Sequence, residues 1–179
     1  MKTILIFVST LDGKITKWGD PFIRSWSSKN DQNYFDRIWN ATRVIIMGSG
    51  TYDPAPIKPD TRHLFVVITR HPERYKNQFI AGHLEFTGES IHQLMDRFKS
   101  EKEVLIVGGA QVATSFLQDQ LIDELWLTIE PKIFGSGASI VTNEKLEIEL
   151  KLISCESAND QGTLFTRYQV IKKQQKKKR

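Results

Sequence analysis

Continuous apolar runs alternate along this chain with stretches in which apolar residues recur every three or four positions. Residues 4–8 (ILIFV), 43–47 (RVIIM), 64–69 (LFVVIT), 104–107 (VLIV) and 122–129 (IDELWLTI) are short and rich in β-branched residues. Runs of this kind fill strands buried on both faces. Tyr34, Phe35, Ile38 and Trp39 form the apolar stripe of a helix capped by Ser27 or Ser28, with Asp31 in its first turn and an end near Thr42. Ile91, Leu94, Met95 and Phe98 predict a second helix over 90–99, and Val112, Ala113, Phe116 and Leu117 a third. Residues 79–86 predict one further short strand. Residues 146–154 and 163–171, joined by a polar turn at 158–162, predict a terminal hairpin. Strands alternating with helices through residue 130 imply an α/β fold with a mainly parallel central sheet flanked by helices, to which the hairpin adds antiparallel strands at one edge.

In such a sheet a ligand lies outside the carboxyl ends of the strands, and three of these ends carry chemistry. The 43–47 run empties into Gly48-Ser49-Gly50-Thr51, the third strand ends in Thr69-Arg70, and 104–107 runs into Gly108-Gly109 ahead of a helix opening with Ala110 and Gln111. Glycines leading into a helix expose backbone N–H groups with no side chain to keep an anion away, which makes a phosphate site; the same dipeptide also serves as a tight strand-to-helix turn. Thr51 adds a hydroxyl, and Arg70 a guanidinium that fits a phosphomonoester bidentately. A diphosphate at one helix start with a further phosphate near Arg70 describes a dinucleotide phosphate. His71 has no evident partner and reads as a surface residue. A long loop from Ser9 to about Ser27 carries Trp18 and Trp26; loops of this length tend to be functional, so the two rings either wall a ligand pocket or plug the core.

Composition narrows the setting. A chain of 179 residues with 40% hydrophobic content suits one domain over residues 1–171. No apolar span is long enough for a transmembrane helix, and the apolar start is followed at once by Asp12, so it reads as a first strand and not a signal peptide. The single cysteine, Cys155, rules out an intrachain disulfide and a cysteine-cluster metal site, and cytoplasm is the expected compartment. The last eight residues, KKQQKKKR, hold six positive charges, so the net +4 of the whole chain becomes −2 for residues 1–171. Residues 172–179 read as a solvated, disordered basic tail; the body is not basic, and neither nucleic acid nor membrane is an expected partner.

The order of motifs resembles the dihydrofolate reductase superfamily, and more closely its branch similar to the C-terminal reductase domain of bacterial riboflavin biosynthesis. The matching pieces are Ser9-x-x-Asp12-Gly13-Lys14-Ile15, Trp26-Ser27, VIIMGSGTY at 44–52, VITR at 67–70, VGGAQVATSFL at 107–117 and LIDELWLTIEPKIFGSG at 121–137, spanning nearly the whole chain. The resemblance implies a dihydrofolate-reductase-like sheet, NADPH as cofactor, and hydride transfer to a small heterocyclic substrate, as in 5-amino-6-(5-phosphoribosylamino)uracil reductase or dihydrofolate reductase. Gly108, Gly109 and Ala110, with Gln111 next in line, match the diphosphate loop. Thr51, with Gly48 and Ser49 ahead of it, matches the phosphate-binding threonine segment, and Thr69 and Arg70 match the stretch that meets the adenosine 2′-phosphate. Asp31 lines up with the acid that binds the pterin and assists its protonation, and Thr128 with the threonine that hydrogen-bonds it. A helix N-terminal acid favoured by the dipole is the structural alternative for Asp31. Asp12 and Lys14 are family markers that an Asp-Gly turn also explains; Asp12 joins the catalytic candidates, Lys14 and Trp26 the substrate-binding ones. Ser49 stands where true dihydrofolate reductases carry arginine, and Ala113 where they carry an aromatic, which favours the riboflavin-type branch. The zinc deaminase often fused to that enzyme has neither space nor His/Cys ligands here, so a stand-alone reductase is expected, a homodimer by analogy. The competing class is a non-catalytic nucleotide-binding protein that retains the fold.

Overall fold

The computed structural model describes residues 1–173. Its centre is β1, Lys2–Thr10, in which every residue after Lys2 is buried. That is the outcome expected for a strand with neighbours on both sides and helices on both faces. Around it lie β2 (Val44–Gly48), β3 (Leu64–Ile68), β4 (Leu84–Thr87), β5 (Glu103–Ile106), β6 (Glu124–Glu130), β7 (Glu149–Ser157) and β8 (Leu164–Ile171), in the sheet order β4-β3-β2-β5-β1-β6-β8-β7. Pairing is parallel from β4 through β6 and antiparallel from β6 to β8 and β7. The mainly parallel sheet with a terminal hairpin is therefore as the sequence predicts.

Four helices follow the strands: α1 (Lys29–Ala41), the single turn α2 (Ser49–Tyr52), α3 (Ile91–Arg97) and α4 (Ala110–Gln118). They divide the core by sheet face. Leu5, Phe7, Ile46, Val66 and Ile106 pack under Leu94 and Met95 of α3, its C-cap Phe98, and Ala113, Phe116 and Leu117 of α4. On the other face Ile4, Ile6, Ile45, Met47 and Phe65 pack under Tyr34 and Ile38 of α1. Successive strand residues point to opposite faces, so one continuous apolar run supplies both layers. Ser28 caps α1, its hydroxyl accepting the Asp31 N–H at 3.2 Å. Ser90 and Gln93 form a reciprocal capping box on α3.

Three boundaries differ from the sequence reading. Within 79–86 only Leu84–Thr87 is strand; Phe79 and Ile80 are exposed and lie in a turn closed by the Ile80 N–H to the Leu84 carbonyl. The second strand, read as 43–47, runs Val44–Gly48, and Ser49–Tyr52 after it form the helical turn α2. The first hairpin strand starts at Glu149 and continues to Ser157, because β7 is the sheet edge with one neighbour and its Leu150, Leu152 and Ile153 stay exposed, so burial leaves no pattern on it. Of the expected tail, Lys172 and Lys173 are ion-paired with Asp123 and Glu147; residues 174–179 lie outside the described residues. No helix among the described residues is long and apolar enough to cross a membrane.

Candidate functional site

A cleft of about 1210 Å³ opens across the carboxyl ends of β1, β2, β3 and β5. Every residue singled out above for phosphate or cofactor contact lines it: Gly48, Ser49, Thr51, Thr69, Arg70, Gly108, Gly109, Ala110 and Gln111. They meet because β2 and β5 are adjacent and parallel, and the Gly48 N–H donates to the Gly108 carbonyl at 3.1 Å. Gly108 has φ +112°, a conformation L side chains rarely adopt. A Cβ there would stand 3.3 Å from Phe7 Cε1, and one on Gly109 3.2 Å from Thr51 Oγ1. Glycine thus lets the loop close on both the wall and the hydroxyl.

Gly109 is also the N-cap of α4, and no side chain caps that helix. Its first N–H groups have no intrahelical acceptor and, with the helix dipole, make this helix start positive. At the other end of the cleft, Glu89 accepts hydrogen bonds from Thr87 Oγ1 at 2.9 Å and from Arg97 at 3.0 Å, a guanidinium it shares with Glu85. Arg70 is exposed at the rim. The arrangement is suited to an extended polyanion, with a helix start for one part and a guanidinium for another. Phe7 and Ile15, which the sequence reading did not single out for this role, give it an apolar wall. No group of His, Cys, Asp or Glu able to hold a metal occurs among the described residues.

The candidates for substrate chemistry are gathered elsewhere. None of Asp12, Lys14, Trp26, Asp31 or Thr128 lines the cleft. Asp31 and Thr128 lie together where the first turn of α1 meets the end of β6, both buried. Burial pushes the Asp31 carboxyl up, partly offset by the Thr128 and Ser27 hydroxyls and reinforced by the nearby Glu130. Trp26 Nε1 is buried without a hydrogen-bond partner among the described residues, and Ser27 Oγ, also buried, has only the Asp31 carboxyl beside it. Asp12 is committed to the backbone: it takes the Thr10 hydroxyl and the N–H groups of Phe134 and Gly135, which hold its carboxyl below the usual range despite some desolvation, the Thr10 bond contributing most. Lys14 bridges to Ser139, its ammonium 3.4 Å from the hydroxyl. Asp12 and Lys14 thus tie the loop after β1 to the segment after β6.

The two loop tryptophans separate. Trp26 is 4% exposed and meets Phe134 edge-on at 5.1 Å, whereas Trp18 is 69% exposed with its Nε1 donating to the Phe134 carbonyl. His71 is exposed, its ring beside Glu73 at 3.2 Å. Sequence reasoning missed Glu130, which is 1% exposed and bonded to both the Ser28 N–H and the Thr163 hydroxyl. Its place two residues after Thr128, hence on the same strand face, was the available signal.

The model of the RibD C-terminal domain family matches residues 1–164 of the chain. An uncharacterized Bacillus subtilis protein, YwjB, is 29% identical over 163 residues, covering 84% of this chain and 88% of its own. The crystal structure of a pyrimidine reductase-like protein from Corynebacterium diphtheriae superposes with a TM-score of 0.78 at 15% identity, over 96% of this chain and 92% of that one. A dihydrofolate reductase from Enterococcus faecalis complexed with NADP(H) superposes with a TM-score of 0.63 at 16% identity, over 94% of both chains. At these identities the two structures show a shared fold.

Proposed function

The chain belongs to the RibD C-terminal domain family, and we propose that it is an NADPH-dependent reductase of a small heterocyclic substrate. The observation that carries this reading is the uncapped start of α4 behind Gly108-Gly109, in one cleft with Thr51, Thr69 and Arg70. The cleft exceeds the 300–1,000 Å³ or so of an ordinary small-ligand pocket, as an extended dinucleotide requires. The N–H groups of Ala110 and Gln111 with the Thr51 hydroxyl would hold the diphosphate, and Thr69 and Arg70 the 2′-phosphate. Bound NADPH would supply the hydride. Phe7 and Ile15 would shield the reacting end from water. Asp31, with its proton affinity raised by burial, would hand on or hold the substrate proton, oriented by Thr128. Trp26 Nε1 offers a further hydrogen bond to the ring. Asp12 and Lys14 would serve by fixing the loop over the site.

Fluorescence titration of the four tryptophans with NADPH and NADH tests the assignment. NADPH should bind more tightly than NADH, and Arg70→Ala should weaken NADPH alone by roughly tenfold, the scale of one exposed charge-assisted contact. Absence of binding by either nucleotide would remove the cofactor and the reductase with it. Binding without oxidation across a panel of heterocycles would leave a nucleotide-binding protein that keeps the fold. The exposed Leu150, Leu152 and Ile153 on the edge strand β7 support a homodimer, which a monomeric mass in light scattering would rule out. The unpaired Cys155 fits a reducing compartment such as the cytoplasm, which fractionation of the producing cell would test.

A further inference from the structure

We propose that Glu130 is a positioning residue for this site: by taking over the cap of α1 it leaves the Asp31 carboxyl free to face a substrate. In a capping box the acid or amide three residues into the helix reaches back to the N-cap N–H. The chain does this in α3, where Gln93 returns to the Ser90 N–H at 3.1 Å. In α1 the corresponding residue is Asp31. The Ser28 hydroxyl accepts the Asp31 N–H, but the Ser28 N–H donates instead to Glu130 Oε1 at 2.7 Å. The second oxygen of Glu130 accepts the Thr163 hydroxyl at 3.0 Å, which fixes the carboxylate between α1, β6 and the start of β8. An acid from another strand thus does the structural work that would otherwise occupy Asp31.

The same placement puts two buried acids side by side. The groups facing Asp31 are Glu130 from β6, the Thr128 and Ser27 hydroxyls, and at longer range Arg24, which is itself paired with Asp36. Desolvation does most to keep the proton on Asp31, the Thr128 and Ser27 hydroxyls oppose it, and the negative charge of Glu130 adds a smaller push in the same direction as burial. Lys132, two residues beyond Glu130, spends its ammonium on the Trp26 carbonyl. Glu130 therefore both frees Asp31 and biases its charge.

The proposal rests on Asp31 handling the substrate proton, and its test is chosen to stand apart from turnover. Carbon-13 NMR of the aspartate carboxyls, with Asp31 assigned by comparison with Asp31→Asn, follows Asp31 in the free protein. In Glu130→Gln the new amide oxygen still accepts the Ser28 N–H, so folding should be preserved while the charge is lost. The Asp31 titration should then move to lower pH, and the alkaline limb of kcat/KM, on which the proton of Asp31 is lost, should move with it once a substrate is in hand. In Glu130→Ala the Ser28 N–H is released, and kcat should fall below that of Glu130→Gln with nucleotide affinity unchanged. An Asp31 titration identical in wild type and Glu130→Gln would overturn the inference. A shifted titration together with full activity of Asp31→Asn would instead retain Glu130's control of Asp31 and reject Asp31 as the proton-handling group.

Discussion

Gly108→Ala puts the geometry of the cofactor loop under direct test. At φ +112° an L residue is strained by about 1–3 kcal/mol. The added methyl would also press Phe7 Cε1 at 3.3 Å and Thr51 Oγ1 at 3.6 Å. Phe7 is buried in the core under α3 and α4, so it can yield only by disturbing its neighbours. If the loop holds its shape, the strain appears as lost stability. If the loop relaxes, the N–H groups at the start of α4 lose their alignment and the loss appears in nucleotide affinity, where about 2 kcal/mol is roughly 30-fold. Urea midpoints and NADPH titrations on the same preparation separate the two. Gly82→Ala is the control: its φ is +73° with nothing within 4 Å of a new Cβ, and it lies away from the cleft. It should lose stability and keep its affinity. An unchanged midpoint and unchanged affinity in Gly108→Ala, or an equal loss of affinity in Gly82→Ala, would refute the argument that this glycine shapes a binding loop.

Two further outcomes follow from ionisation. Burial raises the folded-state pKa of Asp31, so folding binds its proton more tightly than the unfolded chain does, and its ionisation opposes folding increasingly as pH climbs from the unfolded value to the folded one. Asp31→Asn should therefore raise Tm at pH 7 while lowering turnover, and a lower Tm would contradict the assignment. Asp60 behaves in the opposite sense: although desolvation pushes its carboxyl up, the N–H groups of Arg62 and His63 and the His63 ring outweigh it and bring the pKa to about 2. Its stabilisation is complete above the unfolded pKa and lost as pH falls towards 2, so Asp60→Asn should flatten the fall of Tm between about pH 4 and 2; an unaltered acid slope would count against it.

The cleft lining was legible because its signal is local: small and hydroxylated residues at the ends of buried apolar runs, which parallel pairing then brings to one edge of the sheet. The same logic recovered the central strands, since β2 and β3 are apolar along their length and β1 is apolar from Ile4 to Val8. It failed where burial and sequence part company. Phe79 and Ile80 are apolar and exposed, so the strand read over 79–86 begins only at Leu84. Glu130 is charged and almost wholly buried, and composition alone argues against placing it inside. Its partners are Ser28 and Thr163, 102 and 33 residues away along the chain, so a local pattern could show the strand face it shares with Thr128 but not what it bonds.

The division of the site between the two faces of the sheet constrains how any reaction here can run. Phe7 belongs to the layer under α3 and α4 and walls the cleft, while Ile4 and Ile6 belong to the layer under α1, where Tyr34 shares its buried stripe with Asp31. Because alternate residues of β1 serve the two sides, a group held in the cleft and a group held by Asp31 can approach each other only past the carboxyl end of this strand. The chain there is Thr10 to Ile15, and it is pinned by Asp12 to Phe134 and Gly135 and by Lys14 to Ser139. On this reading Asp12 and Lys14 need not touch substrate to matter. They fix the segment over which hydride donor and proton-handling group must meet, which accounts for a charged pair at this turn without assigning it a chemical step.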